Sequence, residues 1–283
     1  MRLDKFLADM GVGSRSDLKK AIRKSLVTVN GAVEKDPGAQ VSAEDRICFD
    51  GAEIRYAEQQ YYMLHKPAGV LSASEDRRQT TVVDLINLND ELVRKDLFPV
   101  GRLDKDTEGL LIITNDGPLA HQLLVPKHHI DKTYYAIVTG TITEDDQRAF
   151  TRGIRYDEKL TALPATLRVL STGKTVAELR RALGFTATSE RLLRTRLAGP
   201  AFIGAEEPAD ITDDTLVSEV EITIQEGKFH QIKKMVKALP GGKEILYLRR
   251  ITMGALRLDP ALAPGEFRKL RQEEIKILKD SVE

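Results

Sequence analysis

Gly101-Arg102-Leu103-Asp104-Lys105-Asp106-Thr107-Glu108-Gly109 runs directly into Leu110-Leu111-Ile112-Ile113-Thr114, and Asn115-Asp116-Gly117 closes the stretch. Two glycines bracket a loop crowded with ionisable groups, and an apolar run with strand character follows at once. A loop that opens onto a rigid strand is a good place for a reactive group, because the scaffold fixes its position. Asp104 and Asp106 are candidates for a paired acid and base, although carboxylates two apart in a loop need not face each other. Taken alone, the loop reads equally as a polar turn capped by Thr107 or Asp106.

Downstream, Glu226-Gly227-Lys228-Phe229-His230-Gln231-Ile232-Lys233-Lys234-Met235 is a second candidate. Gly227 allows a turn, and a helix is predicted over 229–238 with Ile232, Met235 and Val236 facing inward. Seven basic and two acidic residues fall between 226 and 250. Such a cluster reads as a phosphate-contacting surface, or equally as a solvated lysine-rich helix. Strands are predicted at 61–64, 110–114, 133–139, 165–170 and 216–224, and helices at 81–86 and 119–124. Strands and helices mix without a regular βαβ alternation, so the expected class is α+β.

The N-terminal stretch, about residues 1–56, reads as a separate small module. Leu3, Phe6, Leu7 and Met10 form one helical stripe, and Gly11-Val12-Gly13 ends it. Ser14 or Ser16 can cap a second helix in which Leu18 and Ile22 face inward while Lys19, Lys20, Arg23 and Lys24 remain outside. Asn30-Gly31 and Asp50-Gly51 are hairpin-turn signals beside short β-branched runs. Residues 1–24 hold seven basic and three acidic side chains. The polar residues 57–60 read as a linker, so the expected division is 1–58 and 61–283. Within the second part, residues 172–215 read as an insertion. Val176, Leu179 and Leu183 suggest one short helix in it, and Leu192, Leu193 and Leu197 a second. Six basic and two acidic residues at 173–198 are followed by none and five at 199–215. The expectation is a surface excursion with a solvated charge pattern, the other reading being a clamp on RNA.

Composition narrows the field. The 283 residues carry 43 Lys+Arg against 43 Asp+Glu, so the neutral total conceals these local surpluses. No apolar run is long enough to span a bilayer. The N-terminus lacks an apolar signal core, and a single cysteine, Cys48, excludes an internal disulfide. A cytoplasmic protein with no membrane association is expected. The histidines lack metal-ligand spacing, and no nucleotide-binding glycine motif or Gly-x-Ser-x-Gly is present. Neither a metal nor a cofactor is expected.

Together these segments resemble the bacterial ribosomal RNA pseudouridine synthases, most closely the small-subunit type. Arg2-Leu3-Asp4-Lys5-Phe6-Leu7, Ser14-Arg15-Ser16 and Val27-Thr28-Val29-Asn30-Gly31 are similar to the small RNA-binding domain first known from a small-subunit ribosomal protein. Leu64-His65-Lys66-Pro67-Ala68-Gly69 resembles the family's opening strand, and the stretch from Gly101 to Gly117 its central motif. Lys132-Thr133-Tyr134 and the run from Gly227 to Met235 match two further elements. The resemblance implies a mixed, mostly antiparallel, bisected sheet with a cleft across its middle. It carries the essential carboxylate onto Asp104, the uracil-stacking tyrosine onto Tyr134 and the carboxylate's cation onto Lys233. It further implies that Arg102 contacts phosphate or fills the place of the extruded base, and that Leu110 and Ile232 wall the pocket. RNA contacts are carried onto Arg15, Lys19, Lys20, Arg23, Lys66, Gln231 and Lys234. Phe229-His230, where the large-subunit relatives usually have Asn-Arg, and His128-His129 favour the small-subunit type.

The implied activity is isomerisation of one uridine in 16S ribosomal RNA to pseudouridine, without a cofactor, by a monomer acting on an assembling small subunit. The competing readings are a synthase for 23S ribosomal RNA and a non-catalytic RNA-binding assembly factor.

Overall fold

Hairpin chemistry sets the N-terminal module. The computed structural model describes residues 1–54, 59–87, 96–157, 160–183 and 211–282. Helices α1 (Leu3–Asp9) and α2 (Arg15–Arg23) precede four short strands, β1 (Val27–Val29), β2 (Ala32–Val33), β3 (Ile47–Phe49) and β4 (Ala52–Ile54). The strands form an antiparallel sheet in the order β2-β1-β3-β4. Asn30-Gly31 and Asp50-Gly51 all have positive φ, so each pair makes the tight turn its sequence announced. Of the two candidate caps for α2 it is Ser14 whose hydroxyl accepts, from the Asp17 amide at 3.2 Å. Leu3, Phe6, Leu7, Leu18, Ile22, Val27 and Ile47 close the core of this module.

The remaining strands build one nine-stranded sheet. They are β5 (Tyr61–Lys66), β6 (Phe98–Pro99), β7 (Glu108–Thr114), β8 (Lys132–Thr139), β9 (Thr166–Thr175), β10 (Leu216–Ile224), β11 (Ile245–Met253), β12 (Leu256–Arg257) and β13 (Phe267–Lys269). The main order is β13-β5-β7-β11-β8-β10-β9, with β6 on β7 and β12 on β11. Every described pairing in it is antiparallel except β7 with β11, which is parallel and short: Arg249 faces Glu108 and Arg250 faces Gly109. That parallel seam divides the sheet into two antiparallel halves, and the fold is α+β as expected.

Helices cover both faces. Odd residues of β7, Leu111 and Ile113, pack with Tyr62, Leu64, Tyr134 and Ala136 under α3 (Val82–Asn87), α5 (Glu144–Arg152) and α7 (Gln231–Lys237). Even residues Leu110 and Ile112 pack on the opposite face with Met63 and Tyr61, beneath α4 (Gly117–Leu124) and α8 (Gln272–Asp280). Burial on both faces explains why 110–113 is continuously apolar rather than alternating.

Two expectations change. The strand predicted at 165–170 continues to Thr175, because β9 and β10 stay paired as far as Thr175 with Leu216. Residues 172–175 therefore belong to the sheet and not to an insertion. Beyond them α6 (Val176–Leu183) packs its apolar stripe on the sheet: Val176 and Leu179 are buried against Ile137, Val217 and Leu246. The second helix suggested by Leu192, Leu193 and Leu197 lies outside the described residues.

Candidate active site

Strands β7 and β11 run parallel, so the segments that precede them emerge at the same end of the sheet. The segment before β7 is the loop from Gly101 to Thr107, and the helix before β11 is α7. A loop and a helix more than a hundred residues apart in sequence are thereby brought together at the seam. Gly109 makes the seam possible. Its φ is +109°, and a Cβ there would overlap the Arg250 backbone; only glycine permits so close an approach.

The loop is held from several sides. Lys66 Nζ donates to the carbonyl oxygens of Pro67 (2.9 Å), Lys105 (3.2 Å) and Thr107 (3.0 Å). Ser72 Oγ donates to the Leu103 carbonyl at 2.8 Å, and the Gly69 amide donates to the Lys105 carbonyl at 2.7 Å. Between these attachments, the Thr107 amide donates to the Asp104 carbonyl at 3.0 Å and closes a tight turn. Such a framework fixes the Asp104 side chain before any substrate arrives.

Asp104 stays 26% exposed at the mouth of a cleft. Lys233 Nζ reaches it from the first turn of α7, 3.1 Å from Oδ2, and lies 2.6 Å from Asp106 Oδ1. The two carboxylates of the loop therefore do converge, through a shared cation. His230 Nε2 is 3.7 Å from Asp104 Oδ1. His230 is left-handed (φ 52°, ψ 29°), so the helix begins at Gln231, two residues later than its periodicity predicts. Tyr134, on β8, is almost fully buried and forms the floor of the same cleft with Ile232, Leu248, Leu103 and Ile224. Arg102 and Lys228 stand at its rim, with Arg102 exposed.

Other expected site residues are placed elsewhere. Leu110 does not wall the cleft. Side chains alternate along a strand, and Leu110 points into the opposite core while Leu111 takes the cleft-side layer. Lys66 is fully buried, and its ammonium is taken up by the carbonyls of Pro67, Lys105 and Thr107, so it cannot meet a phosphate. Burial pushes its pKa down to about 8. Gln231 is buried too. Its Nε2 donates to Glu226 at 2.7 Å and its Oε1 accepts from the Lys228 amide at 3.0 Å, which fixes the start of α7. Lys234 is half-buried, with its ammonium 5.6 Å from the Phe229 ring centroid. In the N-terminal module Arg15, Lys19, Lys20 and Arg23 are all exposed on α2. Several cleft residues are given no site role by the sequence, among them Leu103, His230, Leu248 and Ile224. Leu248 and Ile224 carry no local signal, because strand residues become cleft lining only once the sheet is assembled. Among the described residues no three His, Cys, Asp or Glu side chains gather in a way that could hold a metal ion. No helix among them is long and apolar enough to cross a membrane.

An exposed carboxylate fixed beside a cation, above an aromatic floor in a cleft wide enough to admit solvent, suits chemistry on a planar base and its sugar. Comparison with known proteins agrees. The family described as RNA pseudouridylate synthase matches residues 60–238, and the S4 domain matches residues 1–47. The chain is 39% identical to an uncharacterised RNA pseudouridine synthase, YtzG, of Bacillus subtilis, over 99% of each protein. It is 34% identical to the ribosomal small subunit pseudouridine synthase A of Pasteurella multocida, over 97% of this chain and 98% of that one. It is 33% identical to the ribosomal large subunit pseudouridine synthase B of Bacillus subtilis, over 98% and 95%. A crystal structure of a pseudouridylate synthase superposes with a TM-score of 0.57 at 32% identity, covering 98% of this chain and 99% of that one. With both modules matched and similarity running almost end to end, the chain belongs to the RNA pseudouridylate synthase family.

Proposed function

We propose that this synthase isomerises one uridine of 16S ribosomal RNA, presented by an assembling small subunit, and that Asp104 is the residue that acts on the nucleoside. The observation that carries the reading is the Asp104–Lys233 contact of 3.1 Å at an open cleft floored by Tyr134.

The reaction breaks the N1–C1′ bond, rotates the uracil and rejoins C1′ to C5. The proton on C5 leaves and N1 takes one up, so nothing is added and nothing is oxidised. Asp104 begins it from the ionised form, either by attack on C1′ or by removal of the C2′ proton to give a glycal. Lys233, 3.1 Å from Oδ2, is the counter-charge that holds this carboxylate at the cleft. The uridine must first leave its stack, which costs a few kcal/mol. Stacking on Tyr134, worth about 1–3 kcal/mol, offsets part of that cost, and Arg102 at the rim contributes a phosphate contact or takes the vacated place of the base. The exposed cations of α2 give the N-terminal module an RNA surface of its own.

Phe229-His230 supports the small-subunit target, and the similarity to a large-subunit enzyme supports the other. Pseudouridine mapping of both ribosomal RNAs, from cells with and without this protein, separates them. Loss of one pseudouridine from 16S alone is expected. A loss confined to 23S RNA moves the target to the large subunit, and no loss from either leaves an RNA-binding assembly factor.

A further inference from the structure

Between the cleft-lining residues Lys228 and His230 stands an aromatic ring that the isomerisation does not use. Phe229 is 71% exposed, although burial of an aromatic ring is strongly favourable and most large apolar side chains here are buried. Its ring lies flat on the His230 imidazole, with centroids 3.8 Å apart and planes inclined by 19°. The opposite edge of that imidazole faces the site, 3.7 Å from Asp104. The left-handed backbone at His230 creates this arrangement. It breaks the helical path, so that Phe229 stands on the rim instead of turning with α7 into the core. One cation stands by the ring, Lys234 at 5.6 Å from its centroid, and Lys228, Lys233 and Arg102 line the adjoining cleft.

Even with the His230 imidazole stacked on it and the Lys234 ammonium 5.6 Å from its centroid, the ring stays 71% exposed and so has surface left for a further planar group. Basic neighbours make that group part of a polyanion. The geometry points to Phe229 as the stacking platform for the unpaired base next to the target uridine in the RNA strand. The stack Phe229–His230 then measures the step between two neighbouring bases: one rests on the ring at the rim, and the other lies over Asp104 and Tyr134. The inference rests on the reading that the uridine sits at Asp104, and it adds a requirement on the substrate. The nucleotide beside the target must be unpaired, so the preferred site is a loop or bulge rather than a continuous helix. Such platforms tolerate any base, because every base has a π-face. Selectivity here is for single-strandedness and not for a particular neighbour.

The test uses the full chain and the RNA of assembling small subunits, kept in those particles, from cells lacking the protein. Equilibrium binding and single-turnover pseudouridine formation are measured side by side for Phe229→Ala, Phe229→Leu and Phe229→Trp. Phe229 is exposed, so the substitutions leave the folded core untouched. Stacking predicts that Phe229→Ala and Phe229→Leu each lose affinity by about tenfold. Phe229→Trp should bind at least as tightly as the parent, and the rate at saturating enzyme should hold within threefold in all of them. Parental affinity in Phe229→Ala overturns the inference. So does parental affinity in Phe229→Leu, which shows an apolar contact without stacking. If the parent binds this RNA without forming pseudouridine, the reading of the active site fails, while the binding series still decides the role of Phe229.

Discussion

Lys233 Nζ lies 3.1 Å from Asp104 Oδ2, and the same ammonium is 2.6 Å from Asp106 Oδ1. One cation on α7 thus serves two carboxylates of a loop that enters the sheet from the other side of the seam. The contact does two jobs at once: it ties the halves of the sheet together at the cleft, and it holds Asp104 in place.

Replacing Lys233 by Met keeps most of the side-chain volume and removes the charge. The pair is partly exposed, so the loss is smaller than the several kcal/mol seen for fully buried pairs. We expect kcat to fall about a hundredfold, roughly 2.7 kcal/mol at 1.36 kcal/mol per decade. RNA affinity should change no more than a few fold. A single-turnover rate within threefold of the parent would show that the cation is not needed.

Asp104 and Asp106 share the lysine but not the exposure. Asp104→Asn should abolish pseudouridine formation while RNA affinity stays within a few fold. Asp106→Asn should lower the rate only in part, because Asp106 is not among the cleft-lining residues. If Asp106→Asn is the inactive variant and Asp104→Asn turns over, the assignment of the two carboxylates is reversed.

The cations of α2 are read from the salt dependence of binding. Changing Arg15, Lys19, Lys20 and Arg23 together to Ala should weaken RNA affinity and flatten the slope of log affinity against log salt by about 3, near 0.7 per lost phosphate contact with single-stranded RNA. An unchanged slope means that this face of the N-terminal module does not meet RNA.

Lys66 sets a pH dependence of stability. Burial lowers its pKa in the folded chain from 10.5 to about 8. Below pH 8 it is protonated folded and unfolded, and the full penalty of a buried charge is present. Between about 8 and 10.5 the unfolded chain keeps a proton that the folded chain has released, so this residue makes stability rise with pH across that window. Lys132, lowered to about 8 by the same cause, adds to the rise. Denaturant midpoints from pH 7.5 to 10 should therefore climb less steeply in Lys66→Met than in the parent. Parallel curves would place the ammonium in solvent.

Gly109→Ala puts a methyl group onto the Arg250 backbone at a positive φ. A clash with main chain relaxes poorly, and we expect a loss of about 3 kcal/mol. The melting temperature should drop by roughly 6–12 °C. Gly117→Ala, where nothing lies within 4 Å of the added carbon, is the control and should melt with the parent.

Much of this protein is written locally in its chain. The hairpins at Asn30-Gly31 and Asp50-Gly51, the Ser14 cap and the buried central strand at 110–113 follow from turn chemistry and periodicity, which act over a few residues. The motif around Asp104 was legible for the same reason, since a glycine-bracketed acidic loop and a following strand are contiguous. What lay beyond reach was every property that depends on which face of a strand or which end of the sheet a residue occupies. Leu110 and Lys66 carry the right residue types for a pocket wall and a phosphate contact, yet the strand's alternation sends one into the opposite core and the loop's carbonyls bury the other. Lys233 meets Asp104 and Asp106 only because β7 and β11 pair in parallel, a long-range choice made by packing across the whole sheet. Local chemistry chose the elements; burial on both faces of one shared sheet chose their neighbours, and with them the active cleft.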